Sequence, residues 1–219
     1  MHSMDREKYI IYFILFSLIL KHPLAASGFT LRKDADGIQV YSRKKADSHL
    51  KEFRAVTRVK TSLSSLVSLM KDTASFPKWM HLCTQAEMLQ KDNFFERYTY
   101  MVNKAPWPMQ DRDMIIYSRL KQNKKNGKIT IRIEGKKDFI AEKPGLVRVE
   151  ILLGYYQFTP VGNGEVEIIY QIFTDPGGKL PALVINSQSG DMPFHTLQNM
   201  REIVREEKYQ NERIPEIHP

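Results

Sequence analysis

Histidine and cysteine are the residues of this 219-residue sequence that could supply a nucleophile or a metal site. The closest pair is His81 and Cys83, which would share one face of a strand and could act as a base and its thiolate. No third group that would orient the base can be assigned, and a small buried hydrophobic role is the alternative for Cys83. The sequence has no H-E-x-x-H, G-x-S-x-G, phosphate-binding loop or G-x-G-x-x-G motif. It therefore predicts no catalytic residue, no metal site and no cofactor.

Arg97 is the charged residue that most suggests a bound ligand. It lies in an aromatic-rich, strand-like run, with Phe95 and Thr99 two residues away on the same face. If that face lines a cavity, Arg97 can hold a carboxylate or a phosphate bidentately; if it points outward, Arg97 is an ordinary exposed arginine. Trp79 and Trp107 also have two interpretations, as an aromatic wall for a ring or a quaternary ammonium, or as core packing.

Composition limits the partners of the chain. With 33 Lys and Arg against 25 Asp and Glu, the formal net charge is +8, which favours anionic surfaces. The basic residues are spread along the chain, unlike the clustered footprint of a nucleic-acid-binding protein. One cysteine excludes an intramolecular disulfide. We predict transient contact with an anionic membrane surface, no nucleic acid, and a monomer.

Residues 1–27 have the order of a secretory signal peptide. Arg6 and Lys8 precede an apolar run at 9–20, and small residues follow at 25–28. The run is shorter than the about 20 residues of a spanning helix, although an uncleaved anchor stays open as the alternative. We expect cleavage after Ser27 or Ala26 and export to the periplasm. Residues 28–209 are then one domain, and the polar residues 210–219 are a flexible tail.

The elements that would position these side chains are mostly strands. Alternating apolar residues or turn motifs predict strands at 29–33, 38–43, 50–60, 83–89, 93–103, 113–120, 128–134, 146–160 and 165–174. Helical spacing predicts one helix from Leu63 and a long final helix over about Pro193–Lys208. Consecutive strands with two helical insertions indicate an α+β fold. A curved antiparallel sheet around the final helix would leave space for an apolar ligand.

Three motifs in register resemble the START (steroidogenic-acute-regulatory-protein-related lipid transfer) domain family. They are Pro-Trp-Pro-Met-Gln-Asp-Arg-Asp at 106–113, Gly-Leu-Val-Arg-Val at 145–149, and Thr-Asp-Pro-Gly-Gly-Lys-Leu-Pro-Ala-Leu-Val-Ile-Asn at 174–186. The likeness covers residues 34–208 and is strongest to the phosphatidylcholine-transfer branch. It implies a helix-grip fold with one internal cavity and non-covalent lipid binding and transfer. The motif residues, with a structural or a ligand-binding role, are Arg112, Asp113, Arg148, Asp175, Gly178, Pro181 and Asn186.

The implied fold, together with the predicted faces of the strands and of the final helix, selects the residues that we expect to line the cavity. They are Trp79, Arg97, Thr99, Met101, Trp107, Tyr117, Ile131, Tyr156, Leu197, Met200 and Val204. Phe76 and Met80 stand where phosphocholine-binding members of the family carry charges. These apolar residues therefore favour a sterol, a fatty acid or a diacylglycerol-like lipid as the ligand over a zwitterionic lipid. We place the entry gate where segments 135–145 and 154–165 meet the final helix, beside Lys136, Lys137 and Lys143.

Two other functions fit the same fold. Helix-grip relatives include aromatase/cyclases, so an enzyme of this kind is one alternative. It would need an acid–base group inside the cavity, and the candidates for that group are Arg97 and the tyrosines at 98, 100, 155 and 156. A protein-interaction module with a cavity too small for a lipid is the other alternative.

Overall fold

The structure, a computed structural model, describes residues 28–178 and 190–218. The chain divides into a short unit at residues 1–30 and a domain at residues 31–219. The predicted signal peptide and the motif residues Pro181 and Asn186 lie outside the described residues. Within the described residues, no helix has the length and apolar character needed to cross a membrane.

Ten strands of the described chain form one sheet. Their order is β1-β2-β3-β10-β9-β7-β6-β5-β4, and β8 pairs beside β6. From β2 to β4 in this order, neighbouring strands are antiparallel, whereas β6 and β8 run parallel. The bounds are β1 Thr30–Ala35, β2 Ile38–Lys44, β3 Lys51–Lys60, β4 Cys83–Lys91, β5 Glu96–Asn103, β6 Arg112–Gln122, β7 Ile129–Gly135, β8 Val147–Arg148, β9 Ile151–Gly162 and β10 Glu165–Asp175.

The described chain has four α-helices, α1 Leu63–Lys71, α2 Phe76–Trp79, α3 Asp191–Ile203 and α4 Glu207–Gln210, and one 3₁₀ helix, Thr73–Ser75. The Ser62 hydroxyl accepts the Ser65 amide at 3.0 Å and caps α1, which buries its apolar face. Helix α3 ends before the predicted Lys208 because Glu206 has extended backbone, with ψ at 141°, ahead of α4. The final helix is therefore split into two.

The core lies between one face of the sheet and the helices. It includes Leu66 and Leu69 of α1, Leu197 and Met200 of α3, and Ile129 of β7, each fully buried or nearly so. A second cluster on the opposite face of the sheet contains Tyr100, Val102 and Ile115. This arrangement confirms the predicted α+β organisation of an antiparallel sheet with a long helix near the carboxyl end.

The segment after α4 corrects one expectation. Residues 210–219 are predicted to be a flexible tail, but Ile217 is buried in the main core. Gln122 at the end of β6 bonds both polar groups of the His218 backbone, donating at 2.7 Å and accepting at 3.0 Å. Burial of Ile217, an apolar residue in a polar segment, therefore holds the end of the chain against the domain.

Candidate functional site

A cavity lies between the sheet and helices α1, α2 and α3. The enclosed volume is about 110 Å³, and it opens into a wider space of about 1010 Å³ that includes open solvent. Most of the side chains around it are apolar or aromatic, from Val67 and Met70 on α1 to Ile172 on β10. Such a lining favours an apolar ligand.

Strand pairing explains which side chains reach the cavity. On β5 the cavity-facing residues are Arg97, Thr99, Met101 and Asn103, which alternate with residues of the opposite face. Strand β6 contributes Met114, Ile116 and Ser118, which lie opposite Met101, Thr99 and Arg97, and also Leu120. Four of the predicted cavity residues therefore lie on the cavity wall: Arg97, Thr99, Met101 and Ile131. Of the two orientations that the sequence allows for Arg97, the structure has the one that faces the cavity.

Tyr156 of β9, the fifth candidate on the wall, stacks on Tyr170 of β10 with ring centroids 4.2 Å apart and planes 3° apart. Burial raises the pKa of both phenols, that of Tyr170 to about 12. The two hydroxyl groups therefore stay neutral near pH 7 and provide a rigid aromatic surface with a small polar edge.

Helix α2 and the residue after it line the cavity with apolar side chains. Phe76 of α2 and Met80 just after it both reach the cavity. Trp79 does not: its side chain is fully buried, and it meets Phe76 edge-on at 5.5 Å. The assignment of Trp79 to the cavity wall is therefore wrong, because the short helix turns its ring into the core.

Two cations stand at the end of the cavity near the last turn of α1. The Arg97 guanidinium donates to the carbonyls of Met70 and Lys71, the latter at 2.9 Å. The Lys71 ammonium donates to the Phe94 carbonyl at 2.8 Å and lies 3.0 Å from the centroid of the Phe94 ring. Burial is the largest cause that lowers the pKa of Lys71 to about 8 and that of Arg97 to about 10.

The opposite end of the cavity carries neutral polar groups. Within the described residues, the buried side-chain oxygens of Asn103 and Thr174 have no hydrogen-bond partner, and both residues line the cavity. His81 also lines it and lies 4.8 Å from the ring of His195 on α3. Burial, followed by the influence of His195, lowers the pKa of His81, which favours the neutral form of its imidazole.

The structure places the remaining cavity candidates elsewhere. Trp107 is 92% exposed on the connector between β5 and β6, and Tyr117 lies on the opposite face of the sheet, against Tyr98 at 5.1 Å. Leu197, Met200 and Val204 are fully buried, but they lie in the core and not on the cavity wall. Helix α3 packs on β2 and β3 as well as β10, so it reaches the cavity through Met192 and Thr196 instead.

The family-motif residues that the structure describes have structural contacts. Arg148 pairs with Asp113 through two hydrogen bonds of 2.9 and 3.0 Å, and both side chains are almost completely buried on the face opposite the cavity. Arg112 donates to the Gln110 carbonyl. The Asp175 carboxylate accepts the Gly177 amide at 3.1 Å, and Gly178 has a positive φ of 73° in the turn that follows.

The predicted gate lies in the wrong place. Segment 135–145 is held on the face opposite the cavity, where Arg148 donates to the carbonyls of Ile140 and Ala141 at 3.1 and 3.2 Å. Lys136 and Lys137 pair with Glu134 and Glu150. No described residue of 135–145 lines the cavity, because the Tyr100 cluster that this segment covers faces the other way.

The Cys–His hypothesis also finds no support in the geometry. Cys83 is buried and its sulfur donates to the Gln85 carbonyl at 3.4 Å, and burial raises the pKa of the thiol to about 11. A thiol with that pKa supplies almost no thiolate near pH 7. Across residues 28–178 and 190–218, no cluster of three or more metal-ligating side chains occurs.

Sequence reasoning missed Lys71, Met192 and Thr196 as cavity residues. Lys71 ends an amphipathic helix, where a lysine is usually a solvated residue near the helix carboxyl end. Only the position of β5 and Phe94 beside that end reveals its role, and nothing in the local sequence signals it.

Together, the sheet, the long helix and the apolar cavity between them define the helix-grip class of ligand-binding proteins. The START domain family matches residues 29–209, and the chain belongs to that family. A STAR-related lipid transfer protein from Xanthomonas axonopodis has a similar crystal structure, with a TM-score of 0.77, 33% identity, and coverage of 82% of this chain and 99% of that one.

Two further relatives are similar in sequence. An uncharacterized protein of Pseudomonas aeruginosa is 31% identical over 176 residues, which are 80% of this chain and 86% of the relative. The phosphatidylcholine transfer protein of the rat is 22% identical over 178 residues, which are 76% of this chain and 78% of the relative. The predicted START resemblance and helix-grip fold are confirmed.

Proposed function

We propose that this protein binds one lipid in the cavity and transfers it between membranes, without covalent chemistry. The observation that carries the proposal is the apolar and aromatic lining of the cavity in a START domain. Each CH₂ group of a chain that moves from water into such a lining contributes about 0.8 kcal/mol. Of the groups considered for an aromatase/cyclase, Tyr98, Tyr100 and Tyr155 are not part of the wall, and binding is the function that the site supports better.

The proposed transfer needs contact with a membrane, and Trp107 is the residue best placed to make it. The connector that carries Trp107 starts directly after Asn103, which lines the cavity. An indole that is 92% exposed is suited to the membrane interface, where tryptophan is enriched. The net charge of +8 would favour anionic lipids, and the order of residues 1–27 supports export to the periplasm.

Adjacent residues of β5 provide a matched test of binding inside the cavity. Thr99 faces the cavity, whereas Tyr98 lies on the opposite face. In Thr99→Trp the larger side chain should fill the space and abolish lipid uptake from vesicles, while Tyr98→Trp should bind as the wild type does. Circular dichroism checks that both variants fold. Equal uptake by a folded Thr99→Trp variant would show that the lipid is not held in this cavity.

A further inference from the structure

Lys71 and Arg97 place two positive charges on one wall of an otherwise apolar cavity. Lys71 is the last residue of α1, and Arg97 is the second residue of β5. Both line the cavity together with Phe94 and Phe95. Lys91, which pairs with Arg97 across β4 and β5, adds a third positive charge near Lys71.

Within the described residues, neither cation has a carboxylate partner. Within the described chain, no ion pair of 4.0 Å or less involves Lys71 or Arg97. The nearby Asp72 is bonded to Lys208 at 3.0 Å and to Tyr209 at 2.7 Å, and Glu96 pairs with Arg119 at 2.7 Å. Glu216 is the acidic residue whose charge favours the protonated form of Lys71. A cation that is removed from water without a counter-charge destabilises the fold.

A structural role accounts for only part of this arrangement. Arg97 caps the carboxyl end of α1 through the carbonyls of Met70 and Lys71, which is favourable for a cation. One capping arginine satisfies that requirement, yet a second cation lies beside it. The guanidinium has five N–H donors and the ammonium three, so each group keeps donors beyond the carbonyl contacts described above.

We propose that Lys71 and Arg97 bind the anionic oxygen of the lipid, which is the carboxylate of a fatty acid or the phosphate of a phospholipid. This inference rests on the proposed function and adds the chemical class of the ligand. Arginine and lysine form charge-assisted hydrogen bonds with both kinds of oxygen. The hydrocarbon chain then extends along Ile131, Tyr156 and Ile172, where the wall is apolar and aromatic.

The lowered pKa values of the two side chains agree with this geometry. Burial and the mutual repulsion of the cations make the charged form of Lys71 costly in the empty cavity. An anion between the cations would offset both effects, so ligand binding should stabilise the protonated ammonium.

The test compares ligands that carry an anionic group with ligands of the same hydrocarbon chains that lack it. The purified full chain, freed of bound lipid, is titrated with oleate and with methyl oleate. Vesicles that contain dioleoylphosphatidic acid or dioleoylglycerol, which lacks the phosphate, supply the phospholipid arm. The variants are Lys71→Met and Arg97→Gln, and Lys78→Met, an exposed lysine on α2, is the control. Since Arg97→Gln removes a helix cap and could unfold the domain, Lys71→Met provides the second, independent variant.

We expect the wild type and the control to bind the anionic member of at least one pair more tightly. Lys71→Met and Arg97→Gln should each lose about tenfold or more of the affinity for that anion, a typical effect of losing a hydrogen bond to a charged group. Both should bind methyl oleate as the wild type does. A preference for oleate identifies a carboxylate, and a preference for phosphatidic acid identifies a phosphate. Equal affinity for charged and neutral ligands, unchanged in Lys71→Met, would overturn this inference but leave lipid binding intact. If the wild type binds none of the lipids, the proposed function itself fails.

Discussion

Replacing Arg148 should destabilise the domain strongly without affecting the ligand. The Arg148 and Asp113 side chains are 3% and 1% exposed and share hydrogen bonds of 2.9 and 3.0 Å. In Arg148→Met the Asp113 carboxylate is left buried without its partner. Breaking a buried pair in this way costs about 3–5 kcal/mol, a large share of the roughly 5–15 kcal/mol that stabilises a typical domain. The carbonyls of Ile140 and Ala141 also lose a donor, which would free segment 135–145.

Urea denaturation followed by circular dichroism measures this change in the free energy of unfolding. Arg58→Met is the matched control, because Arg58 and Glu167 form an exposed pair at 3.2 Å that contributes at most about 1 kcal/mol. The double variant Asp113→Leu with Arg148→Met should recover much of the stability, since it leaves no unpaired charge. A loss below about 1 kcal/mol in Arg148→Met would refute the structural role of the pair. So would a folded Arg148→Met protein that no longer binds lipid.

Three further predictions concern transfer, pH and thiol reactivity. Trp107→Ser should slow lipid transfer from anionic vesicles several-fold and leave binding of dissolved lipid unchanged, and equal transfer rates would contradict the membrane role. Oleate affinity should fall as the pH rises above about 8, because Lys71 then loses its charge. Burial and the charges of Arg97 and Lys91 lower the pKa of Lys71, whereas the charge of Glu216 raises it. The same pH profile in Lys71→Met would contradict this prediction. Cys83 should react with iodoacetamide only in urea, and rapid labelling of the folded protein at pH 7 would contradict its burial and raised pKa.

The strands and their faces could be predicted where alternation is strict. Ile129, Ile131 and Ile133 on β7 alternate with polar residues and are all buried. The face of Arg97 could not be predicted, because a shift of one residue at the start of β5 reverses every side chain. That start is set by Asn93, whose side-chain oxygen accepts the amides of Phe95 and Glu96 at 2.7 and 3.1 Å. A local turn therefore decides whether Arg97 faces the ligand.

The helix and loop candidates failed for a different reason. Leu197 and Met200 have the spacing of a buried helix face, and they are buried, but the sequence does not say which strands that face meets. Trp107 stands between two prolines, and its large side chain suggested packing, whereas it is exposed. The location of segment 135–145 depends on the long-range pair of Arg148 with Asp113, which local pattern cannot reveal.

Native mass spectrometry of the full chain, purified under mild conditions, tests lipid binding most directly. We predict a complex of one protein with one lipid, whose mass and fragmentation identify an anionic lipid after extraction with organic solvent. The Thr99→Trp variant should appear at the mass of the protein alone, and Tyr98→Trp should keep the lipid. A wild-type protein that carries no lipid, and takes none up from anionic or zwitterionic vesicles, would contradict the proposed function.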